Sequence, residues 1–194
     1  MTTAPDVAPL PREPEDVLTE VANAVLGRGA HEFVDLLDVV RQRPAHPVDV
    51  VRAGDDLLPR LAHDNSLDLA LRRARESLRP GGVLVAAVPE LDRLSRLRPI
   101  APPPRVVGRG EDRQITVQLW DWAPDGDSYT LDVVQLVRGD GIWEVGTAVS
   151  TRHRVLAADQ IAELLRTAGF GPVQRLAPSE CGHPLPVWVA LAPE

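Results

Sequence analysis

The stretch over residues 71–88 restricts the fold more than any other. "LRRARESLRPGGVLVAAV" sets a helical pattern against a Pro-Gly-Gly break and follows it with an unbroken apolar run. Leu67, Leu71, Ala74 and Leu78 recur at helical spacing, Asn65 or Ser66 can cap the start, and Pro80-Gly81-Gly82 ends the pattern. Val83 to Val88 is continuous rather than alternating, as a parallel strand covered on both faces should be. "VDVV", Val48 to Val51, is a short apolar run followed by Gly54-Asp55-Asp56 and reads as a buried strand ending in a loop. Strand, helix and strand in this order predict a right-handed crossover unit and an α/β fold.

With 194 residues, 44% of them hydrophobic, the chain suits one globular domain with its own core. Residues 1–14 are Pro-rich and aperiodic and read as a flexible tail, and residues 15–194 as a single domain. Val17, Leu18, Val21 and Val25 predict a helix that stops at Gly27. Phe33, Leu36, Leu37 and Val40 predict another over residues 30–41, closed by Pro44 and Pro47. A helical segment, residues 15–47, is thus expected before any strand. In the second half, "RQITVQLWDW", "SYTLDVVQLV" and "IWEVGTAVSTRHRV" are strand-like runs joined by Asp-Gly turns, an antiparallel meander over residues 112–152. "AADQIAELLRTAGF" then reads as a helix, and "PVQRLA" and "PVWVALA" as two last strands.

A formal net charge of −7, with cations interspersed among acids, argues against a nucleic-acid partner. Cys181 is the one cysteine, so neither an internal disulfide nor a cysteine metal cluster is expected, and His31, His46 and His63 lack metal-ligand spacing. No apolar run approaches the roughly 20 residues of a membrane span, and the first residues lack a signal-peptide pattern. A cytoplasmic protein without a membrane partner is expected.

Taken in order, these segments resemble the class I S-adenosylmethionine-dependent methyltransferases, in particular the small-molecule branch of the glycine and sarcosine N-methyltransferases. "DVVRAGDDLLPRL" is similar to that family's fourth strand and its loop, "LRRARESLRPGGVLV" to the helix and fifth strand, and "AVPELDRL" to the turn beyond. The meander around Trp120-Asp121-Trp122 resembles the insert that roofs the substrate site, and "ADQIAELLRTAGF" the helix before the last hairpin. The resemblance implies a Rossmann-like fold whose cofactor site is a glycine turn after strand one and a carboxylate ending strand two. Between Gly29 and Val48 there is room for one helix where the family places helix, strand, helix and strand. The implied fold is therefore truncated, with two N-terminal helices and the meander as an insert, and S-adenosylmethionine is expected to bind weakly or not at all. Gly27 and Gly29 are either a relic of the glycine turn or a plain turn between helices. In the family the fourth strand lies beside the first, so Val48–Val51 would become a sheet edge. Such an edge invites a second chain, as a homodimer or a complex with a methyltransferase.

Trp120 and Trp122 share one side of a strand, with Asp121 on the other, and form either a platform for a small-molecule substrate or core packing. Tyr129 and Trp143 would extend the same wall. Glu90 and Asp92 follow one parallel strand and Asp55 and Asp56 the other, so all face the crevice where open α/β sheets hold ligands. Asp92 agrees with the resembled enzymes, Glu90 and Leu91 depart from their asparagine and tyrosine, and Asp92 serves either the site or the cap of the next helix. His153 and His183 are candidate proton shuttles or structural histidines.

Two functions of different class follow. In one, a cofactor-free cyclase, isomerase or lyase of secondary metabolism folds a small molecule against Trp120, Trp122, Tyr129 and Trp143, with Asp56, Glu90, Asp92 and His153 as acids and bases. In the other, a non-catalytic subunit stabilises or activates a partner methyltransferase. A working S-adenosylmethionine-dependent methyltransferase is the third reading. An enclosed pocket between the meander and the carboxyl ends of the parallel strands would favour the first.

Overall fold

Two sheets divide the chain, and apolar patterning decides what each presents to a core. The computed structural model describes residues 14–27, 29–54, 56–91 and 94–194, so the expectations for Asp55 and Asp92 lie outside the described residues. The main sheet has the order β1-β2-β3-β9-β8, from β1 (Phe33–Asp35), β2 (Val48–Ala53), β3 (Leu78–Ala87), β9 (Val187–Leu191) and β8 (Val173–Leu176). β1, β2 and β3 run parallel, and β9 is antiparallel to both β3 and β8.

The continuous apolar runs supply both faces of this sheet. Along β3, Leu84 and Ala86 turn to one core and Val83, Val85 and Ala87 to the other. The first core is closed by α2 (Leu36–Arg41), α3 (Leu57–His63), α4 (Leu67–Ser77) and α6 (Ala158–Thr167), through Leu36, Leu58, Leu71, Ile161 and Leu165 among others. The second is covered by α1 (Pro14–Leu26), which sets Val17, Leu18, Val21 and Ala22 on the strands. Each fully buried Leu or Ile side chain contributes about 2 kcal/mol.

Three expectations are corrected here. Phe33–Asp35 is strand β1, not the first turn of a helix over 30–41; the apparent single period joins two elements that follow without a break. β1 is held extended by pairing with β2 (Phe33↔Val50, Asp35↔Arg52) and by the Glu32 N–H, which donates to the Asp49 carboxylate at 2.8 Å. Consequently β2 is an inner strand rather than a sheet edge, and a strand lies between the first two helices. Finally, Leu78-Arg79-Pro80-Gly81-Gly82 belongs to β3 instead of ending α4. Leu78 is buried and extended, and Pro80 biases Arg79 to extended backbone, so the strand starts before the proline.

The second sheet, β4-β5-β6-β7, is antiparallel throughout and comprises β4 (Arg105–Val107), β5 (Gln114–Trp122), β6 (Ser128–Gly139) and β7 (Ile142–Arg154). β6 and β7 are joined by Asp140-Gly141, with φ of 49° and 77°, the positive pair that a type I′ hairpin turn requires. Among the described residues no helix is long and apolar enough to cross a membrane.

Candidate functional site

The carboxyl end of β2 meets the inner end of the meander. Pairing register places Trp122, Tyr129 and His153 in one row across β5, β6 and β7, on the face turned to the body. Tyr129 stacks on the His153 ring at 4.9 Å with 15° between planes, and meets Trp122 at 5.2 Å with the planes tilted by 39°. Trp120, two residues along the same face, meets Trp122 edge-on at 5.8 Å. The Trp122 indole N–H donates to the Pro99 carbonyl at 2.7 Å. Two of these rings are enclosed, His153 at 0% exposure and Tyr129 at 5%, while Trp120 and Trp122 are half-buried.

Asp56, just past β2 at the start of α3, faces this row. Its Oδ2 lies 3.5 Å from His153 Nε2 and 3.8 Å from Arg60 Nη1. The His153 ring, followed by the Arg60 charge, holds the Asp56 carboxyl below its ordinary range, and its partial burial opposes this. Burial, with the Asp56 charge behind it, raises the Tyr129 phenol. Neither ring nitrogen of His153 has a hydrogen-bond partner among the described residues. Chemically, Asp56 and His153 can hold and pass one proton, and Tyr129 stays a neutral phenol.

The other expected residues are placed elsewhere. Glu90 takes both guanidinium contacts of Arg175 on β8, at 2.5 and 2.7 Å, and so ties the end of β3 to the sheet's far edge. His183 is buried, with Nδ1 accepting the Leu185 N–H at 3.0 Å. Trp143 does not extend the aromatic wall. It pairs with Arg138, nine pairs along from Tyr129↔His153, roughly 30 Å away and on the opposite face. Gly27 follows α1 with φ of 89° and, with Gly29, precedes β1, at the end of the parallel strands opposite the crevice. A helix end explains Gly27.

A feature not read from the sequence lies where β1 and β2 end. β1 passes from Asp35 straight into α2 at Leu36, with no glycine between Phe33 and Arg41. Across this junction Arg52 stacks over Phe33 at 5.6 Å, pairs with Asp35 at 3.2 Å and donates to Thr19 Oγ1 at 3.2 Å. The only sequence signal was an Arg inside an apolar strand. A separate open cleft of about 560 Å³ lies between the α3–α4 turn and α6; Asp68, Asp159 and Glu163 stand on its rim, and Trp120 and Trp122 are not in its wall.

Solved structures similar to this chain include S-adenosylmethionine-dependent methyltransferases. One from Clostridium acetobutylicum superposes with a TM-score of 0.61 at 10% identity, over 81% of this chain and 63% of that one. CalS10, an amino pentose methyltransferase from Micromonospora echinaspora involved in calicheamicin biosynthesis and solved with S-adenosylmethionine bound, gives 0.60 at 15%, over 80% and 62%. DesVI from Streptomyces venezuelae gives 0.61 at 19%, over 93% and 71%. The chain thus spans about three fifths of the length of the first two. No family model matches it. No curated protein sequence matches it either. What is shared is the Rossmann-like methyltransferase fold.

Proposed function

We propose that the chain is a non-catalytic subunit of methyltransferase fold that stabilises or activates a partner methyltransferase in natural-product biosynthesis. The observation carrying this is the junction of β1 and α2. Where the resembled family brings backbone N–H groups to the cofactor over a glycine turn, β1 runs into α2 and Arg52 spans the gap to Asp35 and Thr19. With no glycine between Phe33 and Arg41, side chains stand at every position of the junction where that family lets its backbone approach the cofactor, so the residues described there suit S-adenosylmethionine poorly. The aromatic row then serves to dock the meander on the body. The biosynthetic setting is supported by neighbours such as CalS10, and a cytoplasmic location belongs to the same proposal. The test is deletion of the gene in its host, with the partner's level and the final product measured. Loss of both, restored by Trp120→Ala and Asp56→Asn variants alike, supports the subunit; product lost with either variant while the partner persists overturns it.

One observation favours the cofactor-free enzyme as a second reading. A buried histidine with two unpartnered nitrogens is costly, and its closeness to Asp56 suits proton transfer to a small molecule that enters when the meander lifts. Under that reading Asp56→Asn alone abolishes product.

A further inference from the structure

The meander has a second face, turned away from the body, that the site does not use. Register assigns it residue by residue: opposite Leu136 on β6 stand Ile115 and Val145, with Val106 beyond Ile115, an apolar row across all four strands. One step inward is a second row, Val117, Val134 and Ala148. Val145 is 63% exposed and Val106 58%; α3 packs on the meander at its inner end, and the 3-10 turn Gly110–Asp112 meets β6 at its outer end. A continuous apolar face of this kind marks an interaction surface.

We infer that this face binds a second copy of the chain, sheet face on sheet face. Three features select that occupant. First, the edges do not offer strand addition: β4 has three residues, and β7 carries an extra residue, Gly146, between the pairs Leu136↔Val145 and Gln135↔Thr147. Second, the rows are complementary to each other under a two-fold axis that crosses the strands midway between Val134 and Leu136. The branched side chains of the Leu136 row then lie over the smaller Val134 row of the other copy, at the ~10 Å spacing of packed sheets. Third, the charges on β6 obey the same axis. Arg138 and Asp132, six residues apart on this face and roughly 20 Å from each other in one chain, are brought opposite each other twice, at the two ends of the apolar rows. Within its own chain Arg138 has Glu111 at 3.9 Å, and Asp132 has no ion pair among the described residues. The dimer does not depend on the function proposed above, since the face is on the far side from Asp56 and His153.

Sedimentation of the full chain at tens of micromolar tests this. A dimer is expected. Val145→Glu, at an exposed position, should leave circular dichroism unchanged and give a monomer. Arg138→Asp and Asp132→Arg should each weaken association by about tenfold, and the two together should restore it to within about threefold. A monomeric wild type, a dimeric Val145→Glu, or a double variant no better than either single one would overturn the inference.

Discussion

His153 links the meander to the start of α3: its ring is stacked on Tyr129 and its Nε2 faces Asp56. Burial costs the ring nitrogens their water, and Nε2 receives in exchange only the long contact to the Asp56 carboxylate. His153→Phe keeps the stacking and removes both orphan nitrogens. Relief of the buried nitrogens is set against loss of the Asp56 contact, so the variant's stability in urea should lie within about 1 kcal/mol of wild type; a loss of more than about 2 kcal/mol would mean that the nitrogens are bonded in solution. Asp56 contributes with a definite pH signature. Its folded pKa is lowered, so its stabilising contribution is complete above the unfolded value of about 3.9 and disappears as pH falls through the folded value. The stability gap between wild type and Asp56→Asn, measured by urea melts from about pH 6 down to about pH 2, should therefore close on the acid side. A gap that stays constant would place the carboxylate outside any charge interaction.

At the level of elements, what the chain announced and what it hid have separate physical causes. The runs Val48–Val51 and Val83–Val88 were legible because a strand covered on both faces is predominantly apolar, though Asp49 interrupts the first. The meander was legible because only residues tolerant of positive φ close its tight turns. β1 was not: three residues with Phe33 and Val34 at helix-compatible spacing are extended only because β2 is there to pair with, and local patterning carries no trace of a partner strand. The Pro-Gly-Gly break was read as the end of α4 and instead lies inside β3, since proline and glycine are tolerated near the start of a strand. Gly82 is required there for a reason visible only in three dimensions. A Cβ on it would lie 3.0 Å from the carbonyl oxygens of both Arg79 and Asp49. Gly82→Ala should cost about 1–3 kcal/mol by forcing β2 and β3 apart at their amino ends, and equilibrium unfolding checks it; a neutral result would show that this end of the sheet yields.

For the whole molecule, the residues that meet at the junction of the two sheets were partly legible: Trp120, Trp122, Tyr129, His153 and Asp56 stand out by type and by position at strand ends, and the fold brings them together. Trp143 failed because alternation gives the side of a strand only within one strand, and a bulge in β7 and nine pairs of register separate it from the others. Arg52 was missed because nothing in one dimension shows which loop an arginine reaches across. Yet that residue makes the sharpest statement about the molecule as a whole. If the Arg52, Asp35 and Thr19 contacts close the junction, calorimetry with S-adenosylmethionine and its demethylated product should show no binding at low-micromolar levels, that is, nothing approaching about −8 kcal/mol. Arg52→Ala removes the bridge without supplying a glycine turn, so it should not create binding either. Micromolar affinity in the wild type would mean that the junction opens to admit the cofactor, and the chain would then be read as a methyltransferase in its own right. Affinity appearing only in Arg52→Ala would instead make the arginine a plug over a site that is otherwise intact.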